Sequence, residues 1–298
     1  MAYKTLLILN RKSAARPDLR AAVRPLEKEL DLDVIIPWSG KQLRKILRKY
    51  LKKGTTRVIA GGGDGTLNSV AGALLHHDPG PGVSLGLIPL GTANDFARSY
   101  GDDGSDLSAS LRQAATGAAV PIDVGQINGK PFVNVASGGF GAMITATTPK
   151  EIKKQLGGLA YTLTGLARLS ELKPTQARIM LDGGEEYAAA ITALVIANNR
   201  FAGGGFDVAP DADMTDGLLD LGAITHGRLL PDILPTGWFS DRPDPQTGPV
   251  KRARCRQAVL ETDTPFHLNL DGEPMVDTRF EISVLPGGLN FALPDRHN

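Results

Sequence analysis

The chain has 298 residues, 42% of them hydrophobic and 22% charged, enough apolar material for two globular domains and too much for a chain dominated by disorder. Thirty-three basic residues against 32 acidic ones leave a net charge of +1, so the molecule as a whole is not built to bind a polyanion such as nucleic acid. One cysteine, Cys255, excludes an internal disulfide and a cysteine metal cluster, which suits a reducing cytosol.

The apolar run at residues 6–9 is too short for the core of a signal peptide, so a cytoplasmic, soluble protein is expected. Residues 6–9, 34–36, 58–60 and 85–88 are short, nearly continuous apolar runs, the pattern of strands buried on both faces of a sheet. Helical patterns over 17–30, 43–51 and 67–75 lie between them. In the second, Leu43, Ile46, Leu47, Tyr50 and Leu51 recur at helical spacing, while Lys41, Arg44, Lys45, Arg48, Lys49, Lys52 and Lys53 fill most other positions. This alternation predicts a three-layer α/β domain with a mainly parallel sheet over residues 1–125.

The texture changes after about residue 120. Strand-like pieces at 132–136, 178–181, 189–197, 218–223, 258–262, 266–270 and 280–285, punctuated by Gly, Pro, Asn and Asp, predict an all-β sandwich over residues 126–298. A helical segment over 150–172 interrupts them, and 241–251, rich in Pro, Asp and Gly, reads as a loop or lid. The apolar-rich stretch 187–197 falls short of the about 20 residues of a membrane span.

Four places carry residues suited to chemistry. Strand 58–60 runs into Gly61-Gly62-Gly63-Asp64-Gly65-Thr66-Leu67-Asn68 and then a helix. Glycines there either make a plain strand-to-helix corner or let main-chain amides approach phosphate oxygens, to which the helix adds its positive end. Asp64 repels phosphate unless a cation or water stands between them, which points to a metal–nucleotide ligand. After the next strand comes Gly91-Thr92-Ala93-Asn94-Asp95-Phe96. Consecutive strand-to-helix turns of a parallel sheet open at one edge, so both loops can face one ligand. Thr92 offers its hydroxyl to phosphate, and Asn94 and Asp95 serve either a ligand or as caps of the helix they precede. No Walker A sequence or complete dinucleotide fingerprint occurs.

Further on, Asp211, Asp213 and Asp216 form either a site for a hard cation such as magnesium or a solvated turn. Asp271-Gly272 marks a hairpin, followed by Glu273, either a candidate general base or a solvated side chain beside the turn.

In combination, Gly-Gly-Gly-Asp-Gly-Thr at 61–66, Gly-Thr-Ala-Asn-Asp-Phe-Ala-Arg at 91–98, Asp-Gly-Leu-Leu at 216–219 and Leu-Asp-Gly-Glu-Pro at 270–274 resemble the diacylglycerol-kinase catalytic family, in its bacterial branch of YegS-type lipid kinases. Leu-Ile-Leu-Asn at 7–10, Gly-Gly-Phe-Gly at 138–141 and Ala-Gly-Gly-Gly at 202–205 extend the likeness over nearly the whole chain. The resemblance implies an N-terminal domain that binds ATP, a C-terminal β-sandwich, an active site in the cleft between them, and a C-terminal end that packs back on the first domain. By the same carry-over, Gly63, Asp64, Gly65, Thr66, Leu67, Asn68, Ser69 and Thr92 hold the nucleotide, with Asn94 and Asp95 beside them, and Lys12 reaches its phosphates. Asp64, Asp95 and Asp123 form a metal–water network, Asp216 and the main-chain oxygens of Asp213 and Leu218 bind magnesium, and Glu273 accepts the proton.

Two positions depart from the pattern. Ser69 stands where many relatives carry Glu, and Pro37, before Trp38, where some carry Thr. The expected activity is ATP- and magnesium-dependent phosphorylation of a lipid hydroxyl at a membrane surface, within phospholipid metabolism. The alternatives are an NAD kinase, whose family shares the Gly-Gly-Asp-Gly turn, and a nucleotide-binding regulator without catalysis. Basic clusters at 41–53, 150–154 and 251–256 are either attractors of anionic headgroups or solvated faces.

Overall fold

The structure is a computed structural model that describes residues 4–29, 31–139, 174–225 and 250–294. The helix expected over 150–172, the basic cluster 150–154 and nearly all of the loop expected over 241–251 lie outside the described residues. The chain divides into two compact units, Met1–Ile122 with Gly287–Asn298, and Asp123–Pro286.

The first unit runs β1 (Thr5–Leu9), α1 (Arg11–Ala14), α2 (Pro17–Glu29), β2 (Leu32–Ile35), α3 (Gly40–Lys52), β3 (Arg57–Gly62), α4 (Asp64–Leu75), β4 (Ser84–Pro89), α5 (Asp95–Arg98), α6 (Leu107–Thr116) and the start of β5 (Ala119–Ile127). Among the described residues, the rest of the chain is strand: β6 (Lys130–Phe132), β7 (Val135–Gly138), β8 (Thr175–Leu181), β9 (Glu185–Ala197), β10 (Phe201–Ala202), β11 (Phe206–Asp207), β12 (Leu219–Thr225), β13 (Val250–Cys255), β14 (Gln257–Leu270) and β15 (Glu273–Ala292).

In the first unit β2, β1, β3 and β4 lie side by side, all parallel, and Asn290 and Phe291 at the end of β15 add a parallel pairing to Ser84 and Leu85 of β4. Alternation along each strand sends successive side chains to opposite faces. Leu7, Leu9, Ile59 and Ile88 pack with Leu19, Val23 and Leu26 of α2 and Leu111 and Ala114 of α6. Leu6, Ile8, Val58 and Ala60 alternate with them and are also buried, as are Leu43 and Leu47 of α3 and Leu67, Val70 and Leu74 of α4. The strands are therefore continuous apolar runs because both faces are covered, which is the expected three-layer arrangement. Ser39 starts α3 by accepting from the Gln42 amide.

The described residues of the second unit form a β-sandwich. β12 lies between β13 and β9, and β15 pairs with β14. β7 and β8 each bridge β9 and β14, β7 at residues 194–197 and 268–270 and β8 at 185–191 and 258–262. Leu194 and Ile196 of β9 enter one apolar cluster with Leu221, Leu260, Leu268 and Phe280. Val195 and Ala197 enter another with Ala209 and Ile224. The pieces expected at 258–262 and 266–270 are halves of one strand, interrupted by a register shift between Glu261 and Phe266. The piece expected at 280–285 is the middle of the 20-residue β15.

Candidate active site

Because β1, β3 and β4 are parallel, the loops that follow them leave the sheet at one edge. After β1, the Asn10 side chain accepts from the Ser13 amide at 2.8 Å, starting the turn that carries Lys12, and donates to the Thr66 hydroxyl at 3.0 Å. The first loop is thereby tied to the second. After β3, Gly63 caps α4 without a side-chain hydrogen bond, so the first amides of α4 are left for a ligand or water.

The loop after β4 closes on the same place. A Cβ at Gly91 would stand 2.5 Å from the Gly63 Cα and 2.7 Å from Asn94 Oδ1, so the two backbones meet where only glycine fits. The Asp64 carboxylate reaches across and accepts from the Phe96 amide at 3.0 Å. Asp64 therefore caps α5. Asn94 makes no side-chain cap there; it adopts φ 51°, accepts from the Gly91 amide at 2.8 Å and donates to the Gly91 carbonyl at 3.2 Å. Of its two expected roles, capping is thus taken by a residue 32 positions away in the chain from Phe96.

Lys12, Gly65, Ser69 and Thr92 are exposed at this edge, while Asp64, Thr66 and Asn68 are half-buried. Asp95 is 5% exposed, in the first turn of α5. Leu67 is different, because it is buried in the core. Ser69 donates its hydroxyl to the Gly65 carbonyl at 2.8 Å. Beneath the loops, Phe96, Tyr100 and Phe291 pack with ring centroids 5.0–6.2 Å apart. Burial, then the nearby Asp102 and Asp64 carboxylates, push the Tyr100 hydroxyl far above its ordinary pKa, so it stays protonated.

In the second unit, Asp271 (φ 47°) and Gly272 (φ 98°) form the two-residue turn between β14 and β15, and Glu273 pairs with Leu270 on the exposed side of it. Asn269 Oδ1 accepts from the Gly272 amide at 2.6 Å. The Asp271 carboxylate accepts from the amides of Val133 at 2.6 Å, Asn134 at 3.1 Å and Val135 at 2.9 Å. In the sequence Asp271 is legible as a turn residue only; its anchoring role carries no local signal, because the three amides lie more than 130 positions away.

The acidic turn is built differently from a cage of side chains. Asp213 Oδ1 accepts from the Thr215 amide and hydroxyl, and Asp216 Oδ1 from the Leu218 amide at 2.9 Å. Asp216 also forms a close ion pair with Arg254, which reaches Asp220 at 3.3 Å. Burial raises the Asp220 pKa, and the Arg254 charge offsets part of that rise. Asp123 Oδ2 accepts from the Gly217 amide at 2.7 Å, and its own amide donates to the Met214 carbonyl at 2.7 Å, so this buried carboxylate braces the acidic turn. Among the described residues no three His, Cys, Asp or Glu side chains converge on a metal position. The Asp213 carbonyl accepts from the Asp216 amide at 3.4 Å, and the Asp216 carboxylate, the one expected side-chain ligand of a hard cation here, is engaged by Arg254.

Comparison with known proteins places these features in a family. Residues 4–127 match the diacylglycerol kinase catalytic domain, and residues 134–293 match the YegS C-terminal NAD kinase beta sandwich-like domain. A Klebsiella pneumoniae (strain 342) protein named Probable lipid kinase YegS-like is 40% identical over 296 residues, covering 97% of this chain and 96% of that one. The crystal structure of a diacylglycerol kinase from Bacillus anthracis str. Sterne shares the fold with a TM-score of 0.75 at 21% identity, over 98% of this chain and 97% of that one. An NAD kinase from Archaeoglobus fulgidus in complex with ATP shares it at a TM-score of 0.54 and 10% identity, over 98% and 94%.

Proposed function

The chain belongs to the diacylglycerol kinase catalytic-domain family with a YegS-type C-terminal domain, and on that premise we propose that it transfers the γ-phosphate of ATP to a lipid hydroxyl. The observation that carries this reading is the convergence of three loops at one sheet edge: Asn10 on Thr66, Gly63 against Gly91, and Asp64 on Phe96.

Phosphoryl transfer asks the protein mainly to align the reactants and to neutralise charge. The uncapped start of α4 and the amides around Gly63 and Gly65 cradle phosphate oxygens, Lys12 supplies a mobile positive charge, and Thr92 donates a hydroxyl. Asn94 holds the third loop in shape through Gly91. Asp64 keeps the second and third loops in register and, with Asp95, orders water or cations next to the triphosphate. Asn68 and Ser69 complete the first turns of α4, Ser69 with its hydroxyl turned onto Gly65.

Glu273 accepts the proton of the attacking hydroxyl. Its place on a turn locked by Asp271 keeps that carboxylate exposed on a fixed backbone. Magnesium, when bound, would neutralise phosphate charge; Asp216 with the main-chain oxygens of Asp213 and Leu218 would hold it, and Asp123 braces that turn. The lipid acceptor is met at a membrane surface, and among the described residues no helix is long and apolar enough to cross a membrane.

One assay tests the reading against its rivals. Purified protein is incubated with γ-labelled ATP and magnesium, separately with mixed lipid vesicles and with NAD. Label in lipid supports it; label in NADP, or in neither, rejects it.

A further inference from the structure

We propose that the first unit carries a docking surface for anionic membranes, made of the outer face of α3 and the exposed apolar pair Ile36 and Trp38 that precedes it. Lys41, Arg44, Lys45, Arg48, Lys49 and Lys52 recur at three- and four-residue spacing, which lines them along one side of the helix. Leu43 and Leu47, on the opposite side, are buried. No Asp or Glu occurs between Asp33 and Asp64, and no ion pair ties any of the six cations to a carboxylate among the described residues. In a chain whose net charge is only +1, this is a strong local segregation of charge.

Positive charge alone does not choose between a membrane and a nucleic acid. The choice rests on what adjoins it. Trp38 is 71% exposed and Ile36 41% exposed, which makes them two of the few large apolar side chains that the described surface leaves in water. The Trp38 amide donates to Gln42 Oε1 at 2.6 Å, fixing the tryptophan to the first turn of α3. The Arg11 guanidinium lies 4.0 Å from the centre of its ring. An indole with a cation on it, beside a cationic helix face, suits the headgroup region of an anionic bilayer, where tryptophan rings settle and basic residues meet lipid phosphates. Arg11 precedes Lys12, so the surface begins beside the phosphate-binding loops.

This surface would serve the lipid-kinase function proposed above, and vesicle binding is read without turnover, so the two readings fail separately. The test is sedimentation of the full chain with vesicles of phosphatidylcholine alone, or with phosphatidylglycerol added, at low and high salt. Each basic residue near an anionic leaflet strengthens binding about five-fold. The triple variant Arg44→Gln, Lys45→Gln, Arg48→Gln is therefore expected to bind anionic vesicles about 100-fold more weakly. Its circular dichroism and its activity on a dispersed short-chain acceptor should match the wild type. Trp38→Ala should weaken vesicle binding further, and high salt should release the wild type.

Three results would overturn the proposal: equal binding of the wild type to neutral and anionic vesicles, a triple variant that binds like the wild type, or tighter binding to a single-stranded oligonucleotide than to vesicles. Should the triple variant misfold, the salt dependence of the wild type decides alone. Vesicle binding without any phosphate transfer would leave this surface standing and reject the kinase reading.

Discussion

The Asp64 carboxylate, in the first turn of α4, accepts a hydrogen bond from the Phe96 amide at 3.0 Å and so caps a helix in the next loop. Two of the three loops at the sheet edge are thus held together by the side chain that the kinase reading also places near the triphosphate. The structural and chemical duties of Asp64 are separable. Asp64→Asn keeps an oxygen that can accept from Phe96, so stability should fall by less than about 1 kcal/mol. Phosphate transfer should fall about 100-fold or more, since the negative charge is lost. Thermal melting and initial rates on the same preparation check this; a fully active Asp64→Asn would reduce Asp64 to a cap.

The approach of Gly63 and Gly91 gives a steric prediction. Gly91→Ala would drive a methyl into the Gly63 backbone and into Asn94 Oδ1, and should cost about 1–3 kcal/mol of stability together with nucleotide binding. Gly65→Ala meets no atom within 4 Å, so its fold should be unaffected while its methyl would crowd the proposed phosphate cradle. Urea unfolding with ATP titration distinguishes the two. A Gly65→Ala protein that binds ATP like the wild type would place the triphosphate elsewhere.

Asp271 should matter to stability more than its position in a turn suggests. Three main-chain amides point at its carboxylate. Asp271→Asn would oppose an amide group to one of these donors, and a buried donor left without an acceptor costs about 1–3 kcal/mol. The urea midpoint of the variant should fall accordingly; an unchanged midpoint would mean that water replaces the carboxylate at no cost.

Cys255 provides a clean probe of the second unit, because it is the single cysteine of the chain. Burial, then the nearby Asp182 and Asp220 charges, push its thiol up to about 12. The folded protein should therefore resist iodoacetamide at pH 8 and react after unfolding. The folded pKa lies above the unfolded value of 9.0, so this thiol's contribution to stability is complete below about pH 9 and is lost as pH rises towards 12. Cys255→Ser should remove that alkaline component; rapid labelling of the native protein at pH 8 would contradict the burial.

The pairing of Asp216 with Arg254 makes a prediction about metal. If Arg254 and a cation compete for one carboxylate, Arg254→Gln should raise magnesium affinity, read as a larger magnesium-dependent rise in melting temperature. Asp216→Asn should abolish that rise. Identical magnesium responses in all three proteins would remove the metal from this turn.

Much of the scaffold was legible in the sequence because periodicity and burial agree. The runs at 6–9, 58–60 and 85–88 are continuous where both sheet faces are covered, and Leu43 and Leu47 mark the inner side of α3. The Asp271-Gly272 pair announced its turn through residues that tolerate positive φ. β14 was harder: a register shift at its centre breaks the alternation, so one strand reads as two. α6, with alanines and serines over much of its length, has too little apolar contrast to stand out. At the site, residue types were readable but partners were not. Asp64 on Phe96, Asp271 on Val133 and Arg254 on Asp216 join positions 32, 138 and 38 apart, and local pattern carries no information at such separations.

The most direct test of the whole account is the initial rate of lipid phosphorylation by wild type and Glu273→Gln at saturating ATP, with ATP affinity measured in parallel. The wild type should transfer the γ-phosphate to lipid, and the variant should be slower by about 100-fold or more with an ATP affinity close to normal. A variant that phosphorylates lipid at nearly the wild-type rate, or a wild type that labels no lipid at all, would contradict it.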